Sequence, residues 1–202
     1  MAKRKGSNNR IRIIGGEWRS RQLPFIEAPG LRPTPDRVRE TLFNWLQGKV
    51  AGAHCLDLFS GSGAIAFEAL SRYADKVVLV EKHAAVAQQL KENIDLLGAE
   101  SSRVNVINMD ASKYLEQAED AFDLIFLDPP FRKGFVDEVM TLILADGLLK
   151  PDGMIYLEYE MGLEPDFEAW GMSVFRETRA GQVVSVLLRS DVIDQRIHNN
   201  SG

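Results

Sequence analysis

The chain has 202 residues, of which 45% are hydrophobic and 26% charged, with a net charge of −5. That length and mixture describe one well-packed globular domain and exclude wholesale disorder or a fibrous repeat. No apolar run approaches the ~18 residues of a membrane span. The basic N-terminus lacks an apolar segment behind it, so a cytoplasmic protein is expected.

Charge is unevenly spread. Residues 1–39 hold ten Lys or Arg against three acids, a net of +7, while the remainder carries −12. A basic segment on an acidic body suits one face that meets phosphates. Cys55 is the single cysteine, which rules out an internal disulfide and reads as a small buried hydrophobe. His54, His83 and His198 share no ligand spacing with it or one another, so no metal is indicated.

Residues 1–9 read as a basic tail and 10–50 as an N-terminal extension. In the extension, "RIRIIGG" and "WRSRQLPF" flank Gly15 and Gly16 and predict a hairpin turning at those glycines. "EAPGLRPTP" is a connector, after which Thr34 can cap a helix with Pro35 at its first position and Asp36 in its first turn. Val38, Leu42, Trp45 and Leu46 form its apolar stripe, leaving Arg37 and Arg39 on other faces, and Gly48 ends it.

Strands and helices alternate over residues 51–190. "HCLDLFS", "KVVLVE", "VNVINM", "FDLIFLD" and "GMIYLEY" read as strands. "AIAFEALSRY", "AAVAQQLKENIDLLG", "SKYLEQA" and a stretch within 135–145 read as helices between them. Short, nearly continuous apolar strands separated by helices predict an α/β, doubly wound, mostly parallel sheet. "SVFRETRA-GQ-VVSVLLR" has no helix between its two extended runs and predicts an antiparallel hairpin closing one edge. Residues 191–202 read as a second tail.

"DLFSGSGAIA" sets Gly61, Ser62 and Gly63 between the first strand and its helix, in a Gly-x-Gly-x-x-Ala spacing that lets a ligand approach bare backbone. Such loops serve nicotinamide, flavin and S-adenosylmethionine sites alike. Asp57, four residues before Gly61, suits a cationic methionyl amine and would repel a pyrophosphate. Glu81, beside Lys82, can accept from ribose hydroxyls, and Asp110 with Ala111 can read an adenine amine. Three acids at successive strand ends therefore point to S-adenosylmethionine, with Phe59 in the same loop.

Asp128-Pro129-Pro130-Phe131 closes the fourth strand. The prolines remove two N–H donors and stiffen the backbone, leaving the Pro129 carbonyl and the Asp128 carboxylate as two acceptors beside an aromatic plate. That is a fork for the –NH₂ of a planar base, whose nitrogen it can aim at an activated methyl.

These residues resemble a class I S-adenosylmethionine-dependent methyltransferase with an Asp-Pro-Pro-Phe/Tyr motif. With "RIIGGEWRSRQL", "LRPTPDRVRETLFNWL" and "LDLFSGSGAIAFEALSR", the chain is similar over roughly residues 10–190 to the bacterial RsmD family, which methylates the exocyclic N2 of one guanine in 16S ribosomal RNA. The resemblance implies a Rossmann-like sheet of seven strands with the last antiparallel, plus a small N-terminal β-hairpin and helix. It implies 16S rRNA as partner, naked or within a small ribosomal subunit; a monomer is expected. Arg10, Arg12, Arg19, Arg21 and Arg32 are then candidates for RNA phosphates, with Thr34 and Arg37 at the mouth of the cofactor pocket. Rival expectations are an adenine-N6 methyltransferase acting on DNA or RNA, a nicotinamide-dependent oxidoreductase and a non-catalytic RNA-binding factor.

Overall fold

The computed structural model describes residues 9–27, 33–130 and 134–191. Five strands, β3 (His54–Asp57), β4 (Lys76–Val80), β5 (Val104–Ile107), β6 (Phe122–Leu127) and β7 (Leu149–Glu160), run parallel. The final hairpin, β8 (Met172–Ala180) and β9 (Val183–Ser190), completes a seven-stranded sheet in the order β5-β4-β3-β6-β7-β9-β8. β9 is antiparallel to both of its neighbours, and β8 forms the edge. The chain therefore winds outward from β3 to β5, returns to β6 on the other side of β3, and opens a crevice at the carboxyl ends of that pair. Ligands bind at this reversal in doubly wound sheets.

Both faces are covered, which explains why the central strands are apolar at successive positions. Leu124 and Phe126 of β6 pack on one side with α1 (Asp36–Trp45), α2 (Ala64–Ser71) and α3 (Ala84–Leu97). Ile125 and Leu127 pack on the other with α4 (Ala111–Leu115) and α5 (Phe135–Ala145). Cys55 lies fully buried in β3, where burial pushes its thiol far up and leaves it inert.

The extension is a two-stranded antiparallel sheet of β1 (Arg10–Arg12) and β2 (Gln22–Pro24), followed by α1. Gly15 and Gly16 lie in the loop that joins the two strands, and Gly16 has a φ of 78°, the positive value that the sequence expectation gave the turn. They lie against α2: Glu17 donates its N–H to the Ser71 carbonyl at 2.7 Å, and a Cβ on Gly16 would sit 1.8 Å from that oxygen. The reversal continues through residues 17–20, where the Arg19 amide donates to the Gly16 carbonyl and Ser20 has a φ of 69°.

Two local expectations are corrected. Thr34 does not cap α1; Pro35 is the N-cap, and its carbonyl accepts from the Val38 and Arg39 amides. Arg39, expected off the apolar face, is buried, because it faces the fully buried Glu68 of α2 at 3.5 Å and donates to Asp36 at 2.6 Å and to the Arg12 carbonyl at 2.9 Å. Glu68 also accepts from the Ile14 and Gly15 amides at 2.7 and 2.8 Å and from Arg72 at 2.7 Å. A buried carboxylate with that many donors is well satisfied, and it fastens the extension to the helix that follows the glycine loop.

Candidate active site

A cavity of about 870 Å³ opens where β3 and β6 end. Its floor is built by the β3–α2 loop. Ser60 donates its hydroxyl to the Asp57 carbonyl at 2.8 Å, and the Gly63 amide closes the turn on the Ser60 carbonyl at 2.6 Å. Gly63 then enters α2 with a φ of 75°, and a Cβ there would meet the Phe67 ring at 2.5 Å and Leu90 at 2.7 Å. Only glycine fits both the conformation and the space.

Asp57 is 5% exposed and points its chemistry at this floor. Burial pushes its carboxyl up to about 7, against backbone hydrogen bonds with Ala66 and Phe59 that favour the charged form, and the neighbouring Glu81 raises it further. Glu81, just past β4, accepts from the Gly61 amide at 3.0 Å through one oxygen and from the His83 amide at 2.7 Å through the other. It thereby pins the glycine loop to the next strand and still holds spare lone pairs on both oxygens. Asp110 caps α4 by accepting from Ser112 at 3.1 Å, and its exposed carboxylate lines the far wall beside the buried Ala111.

Asp128, Pro129 and Pro130, immediately past β6, also line the cavity. Asp128 is half-buried, and its carboxyl is raised well above the usual range by burial first, then by Glu158 and Asp57. Phe131 lies outside the described residues. The Phe135 ring, which the sequence reading did not single out, lines the cavity and packs edge-on against Phe59 with centroids 5.6 Å apart.

The cavity thus gathers Asp57, Phe59, Gly61, Ser62, Glu81, Lys82, Asp110, Ala111, Asp128, Pro129, Pro130 and Thr34. Arg37 is exposed on α1 and is not among the lining residues. Glu158 and Val183 line the cavity without having been anticipated. A carboxylate in the otherwise apolar run of β7 was the available signal for Glu158.

The family model described as "Conserved hypothetical protein 95" matches residues 11–189. Over 178 residues the chain is 48% identical to ribosomal RNA small subunit methyltransferase D of Escherichia coli strain K12, covering 87% of this chain and 88% of that protein. The chain belongs to this methyltransferase D family.

The Haemophilus influenzae family member is 46% identical over 152 residues, covering 74% of this chain and 79% of its own. Among solved structures, "Putative methyltransferase yhhF from Escherichia coli" superposes with a TM-score of 0.80 at 46% identity, covering 90% of this chain and 99% of that one. A ribosomal protein L11 methylase from Lactobacillus delbrueckii, at 19% identity and a TM-score of 0.60 over 80% of this chain and 83% of its own, shares the fold.

On the extension of this methyltransferase D family member, Arg10 and Arg19 are exposed. Arg12 pairs with Asp36 at 3.0 Å, and Arg21 donates to the Leu96 and Leu97 carbonyls at the C-terminal end of α3, at 2.5 and 3.3 Å. Arg32 lies outside the described residues. No helix among the described residues is long and apolar enough to cross a membrane.

Proposed function

We propose that the chain transfers a methyl group from S-adenosylmethionine to the exocyclic N2 amine of one guanine in small-subunit ribosomal RNA. One observation carries the reading: the Asp128-Pro129 acceptor pair and the Asp57–Glu81 glycine loop open into the same cavity at the reversal of the sheet. The names of the similar proteins point to the same substrate.

The residues fit the cofactor. Asp57 is a buried carboxyl held near 7 for want of a counter-charge, which a methionyl ammonium would provide. Glu81 would offer acceptor lone pairs to ribose hydroxyls, Asp110 and Ala111 also border the cavity, and the glycine loop leaves its backbone bare. When bound, the cofactor supplies an electrophilic methyl on a sulfonium sulfur.

The chain's own work is to hold and orient the acceptor. A base amine is a poor nucleophile because its lone pair is delocalised into the ring. Asp128 and the Pro129 carbonyl would engage its hydrogens and direct the lone pair into the cavity, a positioning effect that can contribute on the order of 7–11 kcal/mol. Asp128 takes the proton released as the amine is alkylated, a role suited to a carboxyl whose burial raises its proton affinity. A guanine within folded RNA must be unstacked to reach it. Arg10 and Arg19 are exposed cations of the hairpin available to phosphates, while Arg12 and Arg21 add charge from fixed positions.

Mass spectrometry of ribosomal RNA nucleosides from cells with and without the gene tests the reading. Loss of N2-methylguanosine at one site is expected; an unchanged nucleoside profile would overturn it.

A further inference from the structure

Leu127 of β6 pairs in register with Leu157 of β7, so Asp128, just past β6, and Glu158, still within β7, stand at the same level on adjacent parallel strands. Both line the cavity. Glu158 is 8% exposed, and its Oε1 accepts from the Tyr156 hydroxyl at 2.6 Å. Ser185 stands opposite Glu158 on β9 and hydrogen-bonds to Tyr156 in turn. This second carboxyl is held at the acceptor end, beyond the groups that the reaction above uses.

We propose that Glu158 selects guanine by accepting the N1–H that lies beside the base's amine. The inference rests on the methyl-transfer reading above. Guanine, adenine and cytosine all carry exocyclic amines, but guanine alone has a ring N–H next to that amine. Adenine presents the N1 lone pair there and cytosine the N3 lone pair. Asp128, the Pro129 carbonyl and Glu158 together make three acceptors on one wall, which match the three hydrogens of guanine's N1–N2 edge. With adenine the third acceptor would face a lone pair, leaving a buried carboxylate unpaired and repelled.

The hydroxyl network keeps Glu158 an acceptor. Burial and the adjacent Glu158 hold the proton on Tyr156, so its hydroxyl donates; burial raises the Glu158 carboxyl, and that donated hydrogen bond opposes the rise. Burial first, then Glu158 and Asp57, raises the Asp128 carboxyl. A cation entering the cavity favours release of its proton.

The test uses small ribosomal subunits from cells lacking the gene. The guanine methylated by the wild-type protein is mapped first, and a second set of subunits carries adenine at that position. Wild type should prefer guanine by about 100-fold or more in kcat/KM. Glu158→Gln, whose amide can turn its NH₂ towards adenine N1, should narrow the preference to within about tenfold. Glu158→Asp, which keeps the acceptor, should retain the preference even where its rate falls.

Unchanged affinity for S-adenosylhomocysteine shows that a variant is folded. Should the Gln variant lose that affinity, Tyr156→Phe carries the test, since it withdraws the hydroxyl that holds Glu158 and should also weaken the preference. Adenine rejected by the folded Gln variant as strongly as by wild type overturns the proposal, as does loss of preference in the Asp variant. With Tyr156→Phe as the test, an unaltered preference does the same. Failure of the underlying reading looks different: the wild-type protein then leaves guanine N2 unmodified.

Discussion

The buried guanidinium of Arg39 lies 3.5 Å from the buried carboxylate of Glu68, joining the N-terminal extension to the helix behind the glycine loop. Neither charge can reach water, so each depends on the other and on the Ile14, Gly15 and Arg72 donors around Glu68.

Glu68→Ala should therefore destabilise the protein by about 3–5 kcal/mol, the range for stranding a buried charge. The loss should begin at the extension, because the backbone amides of Ile14 and Gly15 lose their acceptor with it. Urea unfolding gives the magnitude, and hydrogen exchange at residues 11–24 shows whether protection falls there first.

Asp57 makes stability depend on pH. Its folded carboxyl titrates near 7 against 3.8 for the ordinary group, so the native state keeps a proton that the unfolded chain sheds between those values. The contribution is complete below about pH 4 and is lost as pH rises through 7, amounting to up to about 4 kcal/mol. Asp57→Asn should be more stable than wild type at pH 8 and lose that advantage at pH 4. Melting temperatures of the two proteins across this range check the sign.

The same group should shape ligand binding. A cationic amine favours ionised Asp57, so affinity for S-adenosylhomocysteine should rise as pH increases through about 7 and then level off. Calorimetric titrations in buffers of different ionisation enthalpy should show protons released at pH 6 and almost none at pH 8. Asp57→Asn should bind weakly at both.

Asp128→Ala should separate binding from chemistry. The carboxyl lies past β6 and is not part of the glycine loop, so affinity for S-adenosylhomocysteine should change little. The rate of transfer should fall by about 10²–10⁴-fold, the usual span for a group that positions and accepts a proton. Single-turnover transfer to small ribosomal subunits measures it. A comparable loss of cofactor affinity would instead place Asp128 in the cofactor pocket.

Much of this molecule was legible along the chain. Unbroken apolar strands alternating with helices determined the doubly wound sheet, and the helix-free "TRAGQVV" turn determined the closing hairpin of β8 and β9. Acids directly after apolar runs marked the rim, because a strand's last residue leaves the core whatever lies beside it. Tertiary structure decided the rest. Glu158 reaches the cavity because parallel pairing sets β7 beside β6 at a register that no local pattern encodes. Arg39, a cation on a helix, is buried because Glu68 arrives from 29 positions further along the chain. Gly16 has the positive φ that its loop requires, but that Ser71 also occupies the space of a side chain there is something only the tertiary structure shows. Periodicity reports which face of an element avoids water, whereas the identity of the neighbour on that face is set by long-range pairing, where burying one charge depends on delivering its partner.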